Sequence, residues 1–232
     1  MTNQKSPLRV AFPYTIPVMA GYLVLGTAYG ILMNSKGLSL IWILVASIFV
    51  YAGSMQFVAV SLLASAFDSL GAFLMTLMVN ARHLFYAISM LGKYRGSGRI
   101  KPYLIFSLTD ETFSIVCSAE PPQGTSRKWF YFFISLLDHS YWIAGSVLGG
   151  ILGSLIEFDT KGIDFVLTAL FVVILINQWR LTKNHLPAMI GIASALLCRI
   201  IFGASNFIIP SMLLILLLMT LLKKPMERGI NK

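Results

Sequence analysis

The segment Y-L-I-F-S-L-T-D-E-T-F-S-I-V-C-S, Tyr103 to Ser118, places two adjacent carboxylates, Asp110 and Glu111, inside an otherwise apolar run. Two acids near the centre of a lipid-facing helix cost about 5 to 7 kcal/mol, while the Leu, Ile, Phe and Val side chains of this segment return about 2 to 4. The run is also shorter than the ~20 residues a helical crossing needs. It therefore does not face lipid on its own. On a continuous helix Ser107, Asp110, Glu111 and Ser114 fall at i, i+3, i+4 and i+7, one polar stripe that must face protein or a water-filled cavity. Two neighbouring acids in a low-dielectric site cannot both ionise cheaply, which suits a proton carrier. The alternative is a half-helix starting near Thr109, whose positive end the two acids cap.

The rest of the chain sets that segment among similar ones. Of 232 residues, 57% are hydrophobic and 12% charged, where soluble domains carry roughly a quarter charged. Eight apolar segments follow one another: Ala11 to Met33, Leu40 to Phe67, Leu70 to Leu91, Tyr103 to Ser118, Trp129 to Ile156, Phe165 to Ile176, Leu186 to Phe202 and Phe207 to Leu222. The expected fold is an all-α polytopic membrane protein, one transporter-like domain over 1–232, with six to eight membrane segments, some broken or re-entrant. The first run follows Lys5 and Arg9 as a signal peptide would, but it contains Pro13 and Pro17 and lacks a short apolar core with a cleavage site, so it reads as the first span. Cys117 and Cys198 lie in apolar segments without metal-site spacing and read as small buried residues.

A weak internal repeat divides the chain into halves, 8–118 and 128–222. M-A-G-Y-L-V-L-G-T-A-Y-G, Met19 to Gly30, resembles I-A-G-S-V-L-G-G-I-L-G, Ile143 to Gly153, and a Lys-Gly pair follows each, Lys36-Gly37 and Lys161-Gly162. Repeated halves with a site at their interface are common among secondary transporters, although small residues recur wherever helices pack closely.

The formal charge of +9 sits in short clusters flanking apolar runs, which argues for topology signals and against nucleic acid. Lys5 and Arg9, the cluster Lys93 to Lys101, Arg127-Lys128, Arg180 with Lys183, and the tail Lys223, Lys224 and Arg228 all favour the cytoplasm, as do both termini; the loop with Glu157, Asp159 and Asp164 does not. Eight full crossings would put the Lys93 to Lys101 cluster outside. Either the third and fourth segments both enter and leave on the cytoplasmic side or are broken, or all eight cross against the charge rule.

Other polar groups lie deep in these segments. Ser135, Asp138, His139 and Trp142 form a second stripe, with Asp138 and His139 pairing with Arg82 or His83 or lying at the cytoplasmic interface. N-A-R-H, Asn80 to His83, carries an Arg82 that costs about 2.5 to 3.5 kcal/mol at mid-helix unless paired. It is a candidate counter-ion for the carboxylates or for a substrate carboxylate. In Y-A-G-S-M-Q-F, Tyr51 to Phe57, a helix broken at Gly53 and Ser54 would offer backbone N–H groups and the Gln56 amide to a zwitterion. No nucleotide-binding, metalloprotease or serine-hydrolase motif is present, so no enzyme, cofactor or metal site is expected.

Taken together, P-V-M-A-G-Y-L-V-L-G-T-A-Y-G-I-L (Pro17 to Leu32), S-I-F-V-Y-A-G-S-M-Q-F (Ser47 to Phe57), N-A-R-H-L-F-Y-A (Asn80 to Ala87), F-S-L-T-D-E-T-F (Phe106 to Phe113) and D-F-V-L-T-A-L-F (Asp164 to Phe171) resemble the AzlC family, the larger subunits of bacterial branched-chain amino acid exporters of the LIV-E type. The resemblance implies a bacterial inner-membrane exporter of leucine, isoleucine and valine, with methionine as a further candidate, driven by the proton gradient and working with a small AzlD-like membrane subunit. It implies no cofactor. Its motif residues fall on Gly53 and Gln56, on Asn80, Arg82 and His83, and on Asp110 and Glu111. With Ser54 these are the substrate-binding candidates (Gly53, Ser54, Gln56, Asn80, Arg82, His83) and the proton-coupling candidates (Asp110, Glu111, with Asp138 and His139). Ala81 departs from the Leu or Met often found in the family at that position. The competing reading is a channel-like or scaffold subunit inactive without its partner, or an exporter of another small zwitterion.

Overall fold

The computed structural model describes residues 6–63, 69–155 and 184–222, with 165, 168, 169, 172, 175, 176, 179 and 180 between them. The described residues are helical, without a strand, and fall into two compact units, Met1–Leu167 and Thr168–Lys232. The Glu157, Asp159 and Asp164 loop, Lys161-Gly162, Lys5, Lys183 and the basic tail all lie outside the described residues.

In the first unit the framework is a pair of 29-residue helices, α1 (Pro7–Ser35) and α7 (Arg127–Leu155). Pro7 stands in the first turn of α1, where its missing N–H has no partner to lose. Gly37 ends that helix: at φ 79° its N–H donates to the Asn34 carbonyl (2.8 Å) and the Leu38 N–H donates to the Met33 carbonyl (3.1 Å), a Schellman motif. The two helices run side by side in the same direction, with Tyr22 opposite Gly145 and Asn34 opposite Gly153. Glycines let the backbones touch. A Cβ on Gly26 would stand 3.0 Å from the Ser146 nitrogen, one on Gly145 2.7 Å from the Tyr22 carbonyl oxygen, and one on Gly30 or Gly149 would collide with the carbonyl oxygen of Ser146 or Thr27. The glycine-rich stretches of the sequence repeat are thus this seam.

Two hairpins of half-helices pack against the framework. The first consists of α2 (Leu40–Phe49) and α3 (Gly53–Leu63). Leu40 and Ile43 meet Gly150 near the far end of α7, the Ser47 carbonyl reaches His139 at its middle, and Phe57 has returned to the level of Tyr29 (ring centroids 5.7 Å). This hairpin therefore enters from the end where α1 finishes and turns back at 50–52. Then α4 (Ser69–Met90) runs the full length to the other end.

The second hairpin, α5 (Lys101–Phe106) and α6 (Asp110–Ser118), enters from that other end. Tyr103 touches His139 as α5 descends; after the turn at Ser107–Thr109, α6 climbs back until its last carbonyls meet Lys93. Lys93 Nζ donates to the Cys117 and Ala119 carbonyls (2.9 and 3.0 Å), neutralising the negative end of α6. It also donates to Glu120 (3.1 Å), which holds that exposed carboxyl below its usual range. Tyr14 packs edge-on against Phe130 (5.4 Å), so α1 begins and α7 begins at this same end. Arg9, Lys93 to Lys101 and Arg127-Lys128 all cluster there.

The sequence expectation that the third and fourth segments turn back together is corrected in one member. The segment Leu70 to Leu91 runs end to end, and the second and fourth segments are the ones that turn. Ser107 also leaves the helical stripe, because the chain breaks there and restarts at Asp110. Cys117, expected to be buried, is exposed on the outer side of the last turn of α6.

In the second unit, α8 (Leu186–Asn206) starts with the Leu186 N–H donating to the Asn184 side-chain oxygen (3.0 Å) and is interrupted at Gly203, φ 77° and ψ 174°. It leads into α9 (Ile208–Leu221). Cys198 is buried there, as expected. By length and composition, α1 and residues Leu186–Gly203 are each long and apolar enough to cross a bilayer. Large apolar side chains such as Phe49, Phe85, Ile88 and Ile200 are exposed on the outer faces, as membrane contact requires.

Candidate functional site

The turns of the two hairpins meet beside α4, and the polar residues singled out in the sequence gather there. At the first turn Tyr51 adopts φ 41°, a left-handed conformation that costs a bulky residue about 1–3 kcal/mol. Its ring is held in place from three sides: stacked on His139 (4.1 Å), tilted against Phe106 (6.2 Å) and edge-on to Tyr22 (6.4 Å). The break accordingly lies at Val50–Ala52, a little before the Gly53 and Ser54 read from sequence. Gly53 instead begins α3, where a Cβ would stand 3.2 Å from the Trp142 ring. Gln56 Oε1 accepts the Ala52 N–H (3.2 Å) and so closes the turn.

At the second turn Thr109 is the N-cap of α6, its Oγ1 accepting the Thr112 N–H at 3.2 Å. Asp110 and Glu111 therefore occupy the first turn, where the helix dipole favours anions. They have different partners. Asp110 accepts from Arg82 Nε and from the Tyr86 hydroxyl, both at 2.8 Å. Arg82 also donates through a terminal nitrogen to Ser54 Oγ (3.0 Å), so one α4 guanidinium ties the starts of α3 and α6 together. Glu111 instead accepts the Tyr22 hydroxyl of α1 (2.8 Å).

Asp138 and His139 do not pair with Arg82 or His83, and they are not interfacial. Asp138 is fully buried and accepts from Thr112 Oγ1 (2.8 Å); its other oxygen has no partner among the described residues. His139 stands between the Tyr103 hydroxyl (3.2 Å) and the Ser47 carbonyl (3.1 Å).

Between the two turns and α4 lies a cavity of about 360 Å³, near the lower end of the roughly 300–1,000 Å³ typical of ligand pockets. Tyr51 and Ala52 line it from the first turn, Phe106 and Leu108 from the second, and Asn80, Ala81, His83 and Leu84 from α4. Most of this wall is aliphatic or aromatic. The exceptions include Asn80, whose side-chain oxygen has no partner among the described residues, and His83, which packs edge-on to Tyr86. Gly53, Ser54, Gln56 and Arg82 stand behind the wall and brace the turns.

Sequence reading missed Tyr22, Tyr86, Thr109 as a link, and Thr112. Tyr86 carried a usable signal, lying four residues after Arg82 on one helix face. Tyr22 and Thr112 carried none, since a hydroxyl in an apolar helix acquires its partners only from tertiary packing.

A family model described as AzlC protein matches residues 17–156. The branched-chain amino acid transport protein AzlC of Bacillus subtilis is 53% identical over 221 residues, covering 95% of this chain and 87% of its own length. An uncharacterized membrane protein of Helicobacter pylori is 42% identical over 94% of this chain and 95% of its own length. The inner membrane protein YgaZ of Escherichia coli is 26% identical over 84% and 80%, respectively. No solved structure matches the chain.

Proposed function

The chain belongs to the AzlC family, and from that premise we propose that it exports branched-chain and similar hydrophobic amino acids across the bacterial inner membrane, coupled to protons, as the large subunit of a pair with a small AzlD-like membrane protein. The observation that carries the reading is the cavity where two oppositely directed half-helix hairpins meet. Both α3 and α6 start at that level, so two positive helix ends approach the place a substrate carboxylate would take. The Asn80 oxygen is free to accept from a substrate ammonium group, and Phe106, Leu108 and Leu84 offer an apolar surface to a branched side chain.

In the bilayer α1, α4 and α7 cross and the two hairpins are re-entrant. The end bearing Arg9, Lys93 to Lys101 and Arg127-Lys128 faces the cytoplasm, in keeping with the charge rule. This placement removes the conflict that eight full crossings create. It leaves the N-terminus inside.

Substrate size is the accessible test. Ala81 lines the cavity, and each methylene added to an apolar pocket changes discrimination about 10–200-fold. In vesicles reconstituted with this chain and its partner, Ala81→Phe should reduce exchange of labelled leucine and methionine at least tenfold relative to valine. Equal loss for all three, or none, would place the substrate elsewhere.

A further inference from the structure

Of the four protonatable candidates, Asp110 is neutralised by Arg82, and His139 is held between Tyr103 and the Ser47 carbonyl. Glu111 and Asp138 remain, and they are joined. Glu111 Oε2 contacts the Tyr22 hydroxyl (2.8 Å), Tyr22 the Thr109 hydroxyl (2.5 Å), Thr109 the Thr112 hydroxyl (3.1 Å) and Thr112 Asp138 Oδ2 (2.8 Å).

Counting protons along this chain decides its state. There are four links but only three hydroxyls, and each hydroxyl donates once. With both carboxylates ionised, one link holds two oxygens and no hydrogen. With both protonated, five protons compete for four links. A single proton on one acid satisfies every link, in either direction. Tyr22, Thr109, Thr112 and Asp138 are buried, so water does not readily supply the missing donor, and Asp138's second oxygen has no partner among the described residues to stabilise a permanent charge.

We propose that Glu111 and Asp138 share one proton through Tyr22, Thr109 and Thr112. Transfer is a concerted shift: the Glu111 proton passes to the Tyr22 oxygen, the Tyr22 proton to Thr109, the Thr109 proton to Thr112 and the Thr112 proton to Asp138 Oδ2. Glu111 becomes a carboxylate, Asp138 a carboxylic acid, and the three hydroxyls are restored. Glu111 is only partly buried whereas Asp138 is fully buried, so the relay leads from the hairpin turn into the protein interior. The charged and titratable groups facing it are Arg82 from α4, Asp110 beside Glu111, Tyr51 from the first turn, Tyr103 from α5 and His139 beside Asp138. Arg82 is engaged by Asp110, so none of them supplies the chain with a free cation.

The role of the relay in transport rests on the proposed export, but its test needs no substrate. Infrared spectroscopy of the purified protein in H₂O and D₂O at neutral pH should show one protonated-carboxyl C=O band from this pair. Glu111→Gln and Asp138→Asn should each remove that band, because the new amide N–H becomes the fourth donor and the remaining acid ionises. In a Thr112→Val background, which keeps the Thr109 cap, Glu111→Gln should no longer remove it. Loss of the band in only one of the two single variants would assign the proton to that residue alone and overturn the relay, as would its absence from the unmodified protein. A protein that shows the expected bands yet moves no amino acid would refute the export reading and leave the relay standing.

Discussion

Gly149→Ala should leave little folded protein in the membrane. The added methyl group collides with the Thr27 carbonyl oxygen and comes within 2.7 Å of the Thr27 carbonyl carbon and 2.8 Å of its Cα. All three are backbone atoms of α1, so no side chain can swing aside. The two 29-residue helices must separate, and the close contacts at Gly26, Gly30 and Gly145 open with them. Overpacking a well-filled core costs about 1–3 kcal/mol and sometimes more; with rigid backbone on both sides, the upper end applies here. Gly21→Ala in α1 is the control, because nothing lies within 4 Å of its new methyl group and alanine favours the helix by up to about 1 kcal/mol. Thermal unfolding of detergent-solubilised protein should show a large loss for Gly149→Ala and none for Gly21→Ala. Equal melting of the two would mean that the seam is not where α1 and α7 meet.

Arg82→Gln should leave an inserted, less stable protein without transport. Arg82 joins Asp110 on α6 to Ser54 on α3, and its removal leaves the Asp110 charge at the start of α6 without a cation. The two side chains are 30% and 19% exposed, so the loss should be nearer the roughly 1.5–3 kcal/mol of a charged hydrogen bond than the cost of stripping a sealed ion pair. Arg82→Lys separates charge from geometry. An ammonium keeps the positive charge but is a point donor without the guanidinium's planar fork, so it can hold Asp110 and still release Ser54. Lysine should recover most of the stability, while the turns lose their relative placement and the exchange rate falls about 10–100-fold, the scale of an ångström misplacement at a reacting centre. Full transport by Arg82→Lys would show that charge alone suffices. Adding Asp110→Asn to Arg82→Gln should restore stability without restoring transport.

Much of this arrangement was legible in the sequence because membrane segments leave few polar residues to interpret. The cost of placing Asp110 and Glu111 in lipid implied a broken or inward-facing segment, and the Lys93 to Lys101 cluster required that something before α7 turn back. A break near Gly53 in the second segment was legible, but its reversal there, in place of one in the third segment, was not. Leu40 to Phe67 is long enough to cross and lacks a charge, and its break depends on Tyr51 being gripped by Tyr22, His139 and Phe106, residues distant in sequence. Asn80, Arg82 and His83 made Leu70 to Leu91 look anomalous, yet Arg82 finds Asp110 and Ser54 on the two hairpins, Asn80 and His83 line the cavity, and the helix runs through. Carrier and cap were rival readings of the two acids, and the geometry gives each a different neighbour. Asp110 joins Arg82 at the cap, and Glu111 joins Tyr22.

Cells deprived of their own exporters and loaded with a leucine-containing dipeptide provide the most direct test of the central claim. With this chain and an AzlD-like partner expressed together, leucine should leave the cells, and with either protein alone it should accumulate inside. Equal accumulation with and without the pair would contradict the assignment of this cavity to a branched-chain amino acid.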